Sequence, residues 1–263
     1  MSYRNNNHSI NRIGGSGAGS RKGQGIYEES SIAKYDIGEK LELADGRVFR
    51  YGYTAAAINA GLLVSQDLSA TALADSDDLV IAAANGFSPA ANSLKFQITL
   101  ASVTADQYAG ALFQTTSATG TGIGEGIQYR IKSNSATGAT TAGKVDIYLY
   151  DPIKVTLTTA TDFAIVGGLW YNVRGATAAT DYVVSGVTPI AFTANYYGWF
   201  QTAGIAVLQS DGAIAIGANL TLSDGETGSV QLKDAETEPL VGTALYASDD
   251  NGHVGVLLTG LAA

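Results

Sequence analysis

The chain is predicted to be all-β, with β-barrel or sandwich domains of short antiparallel strands behind an extended N-terminal arm. Three observations predict this. Short runs of alternating apolar and polar residues recur along most of the chain, as half-buried strands require. Turn signals such as Asp45-Gly46, Ser210-Asp211-Gly212, Ser223-Asp224-Gly225 and Asp249-Asp250-Asn251-Gly252 separate them. No segment keeps helical periodicity over ~11 residues or more.

Residues 1–33 read as the arm. Asn5-Asn6-Asn7 and the Gly/Ser-rich run 14–20 offer almost nothing apolar to offset the entropy of ordering. Such a segment is loose unless something holds it, and we expect a neighbouring chain to do so. Arg4, Arg12, Arg21 and Lys22 precede the first acid, Glu28, so this leading stretch carries +4. The whole chain carries −9, which leaves −13 on the remainder. A sign split between tail and body marks an interaction arm. Tyr3, Ile10, Ile13 and Ile26 are its apolar anchors.

Residues 34–160 read as a β domain, with 67–160 as an alternative insertion. Leu41–Tyr51 alternates on both sides of Asp45-Gly46, a strong hairpin signal. The Ala-rich stretch 54–61 suits a helical turn, and Leu62-Leu63-Val64 a short strand. Further strands are expected at Leu79–Ala84, Leu94–Leu100, Ile127–Ile131 and Val145–Tyr150, with loops at 115–126 and 133–143. Asp151-Pro152 ends the last of these, since proline cannot donate to a ladder. Residues 161–263 read as a small C-terminal β-barrel with strands at 204–208, 213–216, 229–232 and 254–258.

Composition narrows the function. Charged residues make up 15% of the chain, against a usual ~25%. There is no cysteine, so neither a disulfide framework nor a thiolate site exists. A net charge of −9 argues against nucleic-acid binding, which draws most of its affinity from basic surfaces. No apolar run approaches the ~20 residues of a membrane-spanning helix. The first residues lack the layout of a secretory leader. We therefore expect no nucleic-acid or membrane partner.

Catalytic groups are scarce. The two histidines are His8, in the arm, and His253, beside the Asp249-Asp250-Asn251-Gly252 turn. His253 with Asp249 or Asp250 resembles a base and its orienting acid, but a solvated turn histidine is the simpler reading. Two separate histidines do not make a zinc site. Asp75-Ser76-Asp77-Asp78 and Asp249–Asn251 cluster oxygens without the spaced calcium-loop pattern. Residues 120–126 are glycine-rich but do not satisfy the dinucleotide fingerprint. We expect no enzyme, no cofactor and no metal. The aromatics are the densest feature: Trp170-Tyr171 and Tyr196-Tyr197-Gly198-Trp199-Phe200. Trp170, Tyr196, Tyr197 and Trp199 suit core or interface anchors, or a stacking platform for sugars.

Three stretches carry a resemblance to a known family. They are Ala44–Tyr51 with Gly61–Val64, then Gln107–Leu112 with Gly124–Asn134 and Leu149–Ile153, then Tyr196–Gly204 with Leu240–Leu245 and the chain end. The chain resembles virion structural proteins encoded beside the major capsid protein of tailed phages, the capsid decoration or cement proteins. The resemblance covers most of residues 40–260 and leaves out the arm. It implies a capsid-exterior protein made in the host cytoplasm, with the major capsid protein and itself, as a homotrimer, for partners. Arg4, Ile10, Arg12, Ile13, Arg21 and Lys22 are then the expected partner-binding residues. A carbohydrate-binding or adhesion module, resting on the aromatic clusters, is the alternative.

Overall fold

The computed structural model describes residues 23–66, 74–76, 81–82, 89–118, 126–158, 161–166, 168–177, 183–259 and 261. These residues contain strands and turns and no helix. The Ala-rich stretch 54–61 is therefore no helical turn. Bridges from Thr54 to Val173 and from Ile58 to Phe192 pin it instead.

The first sheet begins with β1 (Lys40–Glu42), β2 (Val48–Tyr53) and β3 (Leu63–Gln66). The expected hairpin forms at Asp45-Gly46, pairing Glu42 with Val48. Gly46 takes a φ of 85°, which glycine adopts without a Cβ penalty. The Arg47 amide donates to Asp45 Oδ1, closing the turn.

The chain then builds a second sheet from β4 (Ala74–Ser76), β5 (Ile81–Ala82), β6 (Lys95–Thr99), β7 (Leu112–Ala118), β8 (Gln128–Asn134), β9 (Lys144–Leu149) and β10 (Thr161–Val166). Its order is β4-β10-β7-β8-β9-β6-β5. Strand β7 occupies the start of the expected loop 115–126. Alternation sets its core: Phe96, Ile98, Tyr129, Ile131, Val145, Ile147, Phe163 and Ile165 pack together. On the other face, the register pair Gln97 and Asp146 is also fully buried. The loop after β8 covers it, with Thr140 Oγ1 donating to Asp146 and Gln97 Nε2 reaching Asp146 Oδ1 at 2.6 Å.

The chain returns to the first sheet with β11 (Val173–Gly175), β12 (Gly186–Val187), β13 (Tyr197–Gln209), β14 (Asn219–Leu222), β15 (Val230–Leu232), β16 (Gly242–Ala244) and β17 (His253–Leu258). The order is β11-β3-β12-β13-β17-β16-β14-β15, with β2 joined to β13 and β1 to β2. All these pairings are antiparallel, and the sheet curls into a half-barrel. The pairings run across the expected division at residue 160: β2 and β3 pair with strands from Val173 onward, while β10 pairs with β4 and β7. The expected strand 213–216 is only a bridge between Ile214 and Ser248.

The half-barrel core holds Leu63, Leu208, Leu220, Val230, Val254 and Val256 among others. Burying each such side chain contributes ~1.5–3 kcal/mol. Gly242 sits where β16 meets β17, and a Cβ there would overlap the Leu257 carbonyl oxygen. The Gly242→Ala substitution should therefore cost ~2–3 kcal/mol, read as a lower denaturation midpoint. Gly25→Ala, whose Cβ would meet only Glu28 at 3.6 Å, should leave the midpoint unchanged.

Candidate functional site

A buried polar site lies where the arm joins the body. Tyr51 on β2 and Trp199 on β13 are register partners, so they share a face of the sheet. With Phe49 they form a small buried cluster, against which Ile26, Tyr35, Ile37, Leu41, Leu43 and Tyr197 pack. The Tyr51 and Trp199 rings meet edge to face, 5.1 Å between centroids. That geometry suits the aromatic quadrupole.

Both rings bring a polar group into this buried space, and both groups find Gln24. The indole Nε1 of Trp199 donates to the Gln24 carbonyl at 3.0 Å. The Tyr51 hydroxyl donates to Gln24 Oε1 at 2.7 Å and accepts from the Lys34 amide at 3.0 Å. Gln24 Nε2 then donates to the carbonyls of Glu28 at 2.7 Å and Tyr197 at 2.9 Å. Every polar group of the side chain is used, and Gln24 is only 7% exposed.

The next residues continue the lacing. Ser30 and Tyr197 exchange backbone hydrogen bonds. The Glu29 carboxylate accepts from the Thr193 amide at 2.7 Å and the Thr193 hydroxyl at 2.8 Å. Arg47 donates to the Tyr27 hydroxyl. The chain is thus fastened to β13 from Gln24 to Ser30, immediately after the basic stretch ends.

The predicted aromatics divide. Trp199 supports the clamp. Trp170 is buried on the other face of β13 with Phe192, Phe200, Val64 and Val173. Tyr197 is half-buried and meets Tyr53 at a tilt, 4.9 Å between centroids, and Tyr53 in turn stacks on Tyr171 at 5.0 Å. Tyr196 is half-buried, and its carbonyl accepts from the Thr54 amide and hydroxyl. The two tryptophans, at 8% and 2% exposure, offer no face to solvent.

The predicted partner-binding residues Arg4, Ile10, Arg12, Ile13, Arg21 and Lys22 lie outside the described residues, as do Tyr3 and His8. Ile26, expected to anchor the arm on a partner, packs against this chain's own Tyr51 and Trp199 cluster. His253 is exposed at the start of β17. Asp250 accepts from the Gly212 amide and the Asp249 carbonyl accepts from the Ser210 hydroxyl, both ordinary turn contacts. Among the described residues no three His, Cys, Asp or Glu side chains gather around a common point. Gln24 and Glu29 carry no signal in the sequence: a lone glutamine after a Gly/Ser-rich run reads as solvated.

Compared with family models, curated proteins and solved structures, the chain matches none.

Two predictions follow from this geometry. Gln24→Ala would leave the Tyr51 hydroxyl without its buried acceptor, at a cost of about 1–3 kcal/mol. It should lower the denaturation midpoint and speed amide exchange across residues 24–30; unchanged exchange there would remove the clamp from consideration. The second concerns alkali. Burial pushes the hydroxyls of Tyr51, Tyr150 and Tyr171 up from 10.0 to about 12. Between those values the unfolded chain has lost these protons while the folded one keeps them. Stability is therefore full below pH ~10 and falls as pH rises toward about 12. Tyrosinate absorbance should show these three rings ionising late, together with unfolding.

Proposed function

We propose that this chain is a capsid decoration protein of a tailed phage, bound to the outside of the shell and bridging capsid subunits without catalysis. The observation that carries this reading is the clamp at Gln24. A basic, Gly/Ser-rich segment is fastened at its root into the core of an acidic all-β body. That is how a tether is mounted if it must transmit load to the body.

The physics fits the role. A bridging protein stabilises a shell by binding the assembled state in preference to free subunits. Exposed ion pairs contribute only ~0–1 kcal/mol each, so four cations alone make a weak strap. Tyr3, Ile10 and Ile13 would add apolar contacts on the neighbouring chain. The major capsid protein is the primary partner in this reading, and the family resemblance adds a homotrimer. Burial of Trp170 and Trp199 weighs against the sugar-stacking alternative.

The test uses phage heads carrying the matching capsid protein. The full chain should bind them and raise their disruption temperature. Deleting residues 1–22 should weaken binding by at least tenfold, a difference of about 1.4 kcal/mol. Equal binding by the truncated chain would refute the arm's role, and no binding by either would refute the decoration reading.

A further inference from the structure

The half-barrel leaves one sheet face open. Ile205 and Val207 on β13 and Leu257 on β17 are exposed, at 58%, 52% and 43%. Ile205 is the register partner of Leu257, and Val207 of Gly255, so the three share a face. The ring of Tyr246, itself exposed, lies over Gly255, where no side chain intervenes. The result is a contiguous apolar strip on a regular sheet, and such patches mark interaction sites.

The segment of sequence that carries the strip is acidic. Residues 204–259 hold eight acids against one lysine, Lys233. Among the described residues none of these acids forms an ion pair. Asp249 and Asp250 are exposed beside the end of the strip where β13 meets β17.

The complement to this surface is written in the chain itself. The stretch ahead of Gly23 carries four cations, no acid, and Tyr3, Ile10 and Ile13. Its 22 residues reach ~70 Å when extended, further than the ~40 Å of the thirteen-residue β13. Its root is clamped on the Trp199 face of β13. The apolar strip lies on the opposite face, because the bulge between Gln201 and Ala203 sets residues 205 and 207 on the side of Phe200. Seating an arm on its own strip would require it to cross from one face of the sheet to the other, whereas a neighbour's strip asks for no such crossing.

We propose that the apolar strip of β13 and β17 receives residues 1–22 of a second copy of this chain, apolar side chains on the strip and cations toward Asp249 and Asp250 at its end. The proposal rests on the bridging role given to the arm above and names the surface it bridges to.

The experiment needs no phage heads. Unlabelled full-length chain with a photo-crosslinking residue in place of Val207 is mixed with isotope-labelled full-length chain, irradiated and digested. The expected products join position 207 to labelled peptides from residues 1–22. Replacing Arg4, Arg12, Arg21 and Lys22 by glutamate should reduce their yield severalfold, and so should Ile205→Asp, whose exposed position leaves the fold intact. Cross-links confined to one copy, cross-links to other segments, no cross-links, or a yield indifferent to both variants would each overturn the proposal. Failure of the chain to bind heads, with these cross-links present, would overturn the decoration reading and leave this one standing.

Discussion

Strand β13 serves two cores because a bulge between Gln201 and Ala203 changes which of its residues face inward. Ahead of the bulge, Trp199 and Gln201 share a face with Tyr51 and Phe49, and Phe200 looks the other way. Past it, Ala206 and Leu208 fall on the Trp199 side and enter the half-barrel core. Without the extra residue a period of two would put Ile205 and Val207 inside and Leu208 in water. The first half of the strand is buried on both faces, by the clamp cluster on one and by Trp170 and Phe192 on the other. The second half is buried on one face only. The clamp, the core and the open strip all follow from that single shift of register.

The second sheet is joined to the first through the short segment ahead of β1. Arg130 of β8 donates to the Ile37 carbonyl, and Arg50 of β2 donates to the Gly38 carbonyl. Gly110, at a φ of 79°, passes so close to Ile37 that a Cβ would lie 3.0 Å from its oxygen. Tyr171 adds a hydrogen bond to the Ala105 carbonyl. Burial, helped by the charge of Arg130, lowers the affinity of Arg50 for its proton. Two like charges are tolerated here because backbone carbonyls accept from both and Arg130 also lies over the Tyr150 ring, 4.7 Å from its centroid. Residues 24–39 therefore do two jobs: the first part roots the arm, and the last part holds the sheets together.

The strands legible in the sequence are the ones with one apolar face. Lys95–Thr99, Gln128–Ile131, Lys144–Leu149 and Val254–Leu258 each turn an apolar face to a core; on β6 and β9 the polar face is buried too, at Gln97 and Asp146, so alternation there marks side-chain character rather than exposure. Tyr196–Ala203 does not alternate, being buried on both sides, so it read as an aromatic cluster rather than as half of the longest strand. Ala213–Ile216 alternates and yet forms only a bridge, since Ile214 alone is buried and Ile216 is exposed. Long-range pairing, such as β2 with β13 across some 150 residues, leaves no mark in local pattern. The same holds for the site. The aromatic half of the clamp was visible as composition. Its polar half was not, because the importance of Gln24 comes from burial between residues 27 and 175 positions away.

A clamp at the root changes what a tether can do. An unanchored basic segment would bring its four charges to a partner at the full cost of ordering both ends. In the proposed role, rooting at Gln24 confines the arm's contacts to the volume within its reach, so a second contact forms at an effective concentration set by arm length. The load on such an arm enters the body through the Gln24 carbonyl and amide, and these bond to Trp199, Tyr51 and the β13 backbone. Strand β13 pairs in turn with β2, β12 and β17. Pulling on the arm therefore strains several hydrogen-bonded ladders side by side rather than peeling one edge. The acidic half-barrel supplies the other requirement. In the proposed exchange, the cations of a neighbour's arm offset part of its acidic charge while the apolar side chains cover the strip.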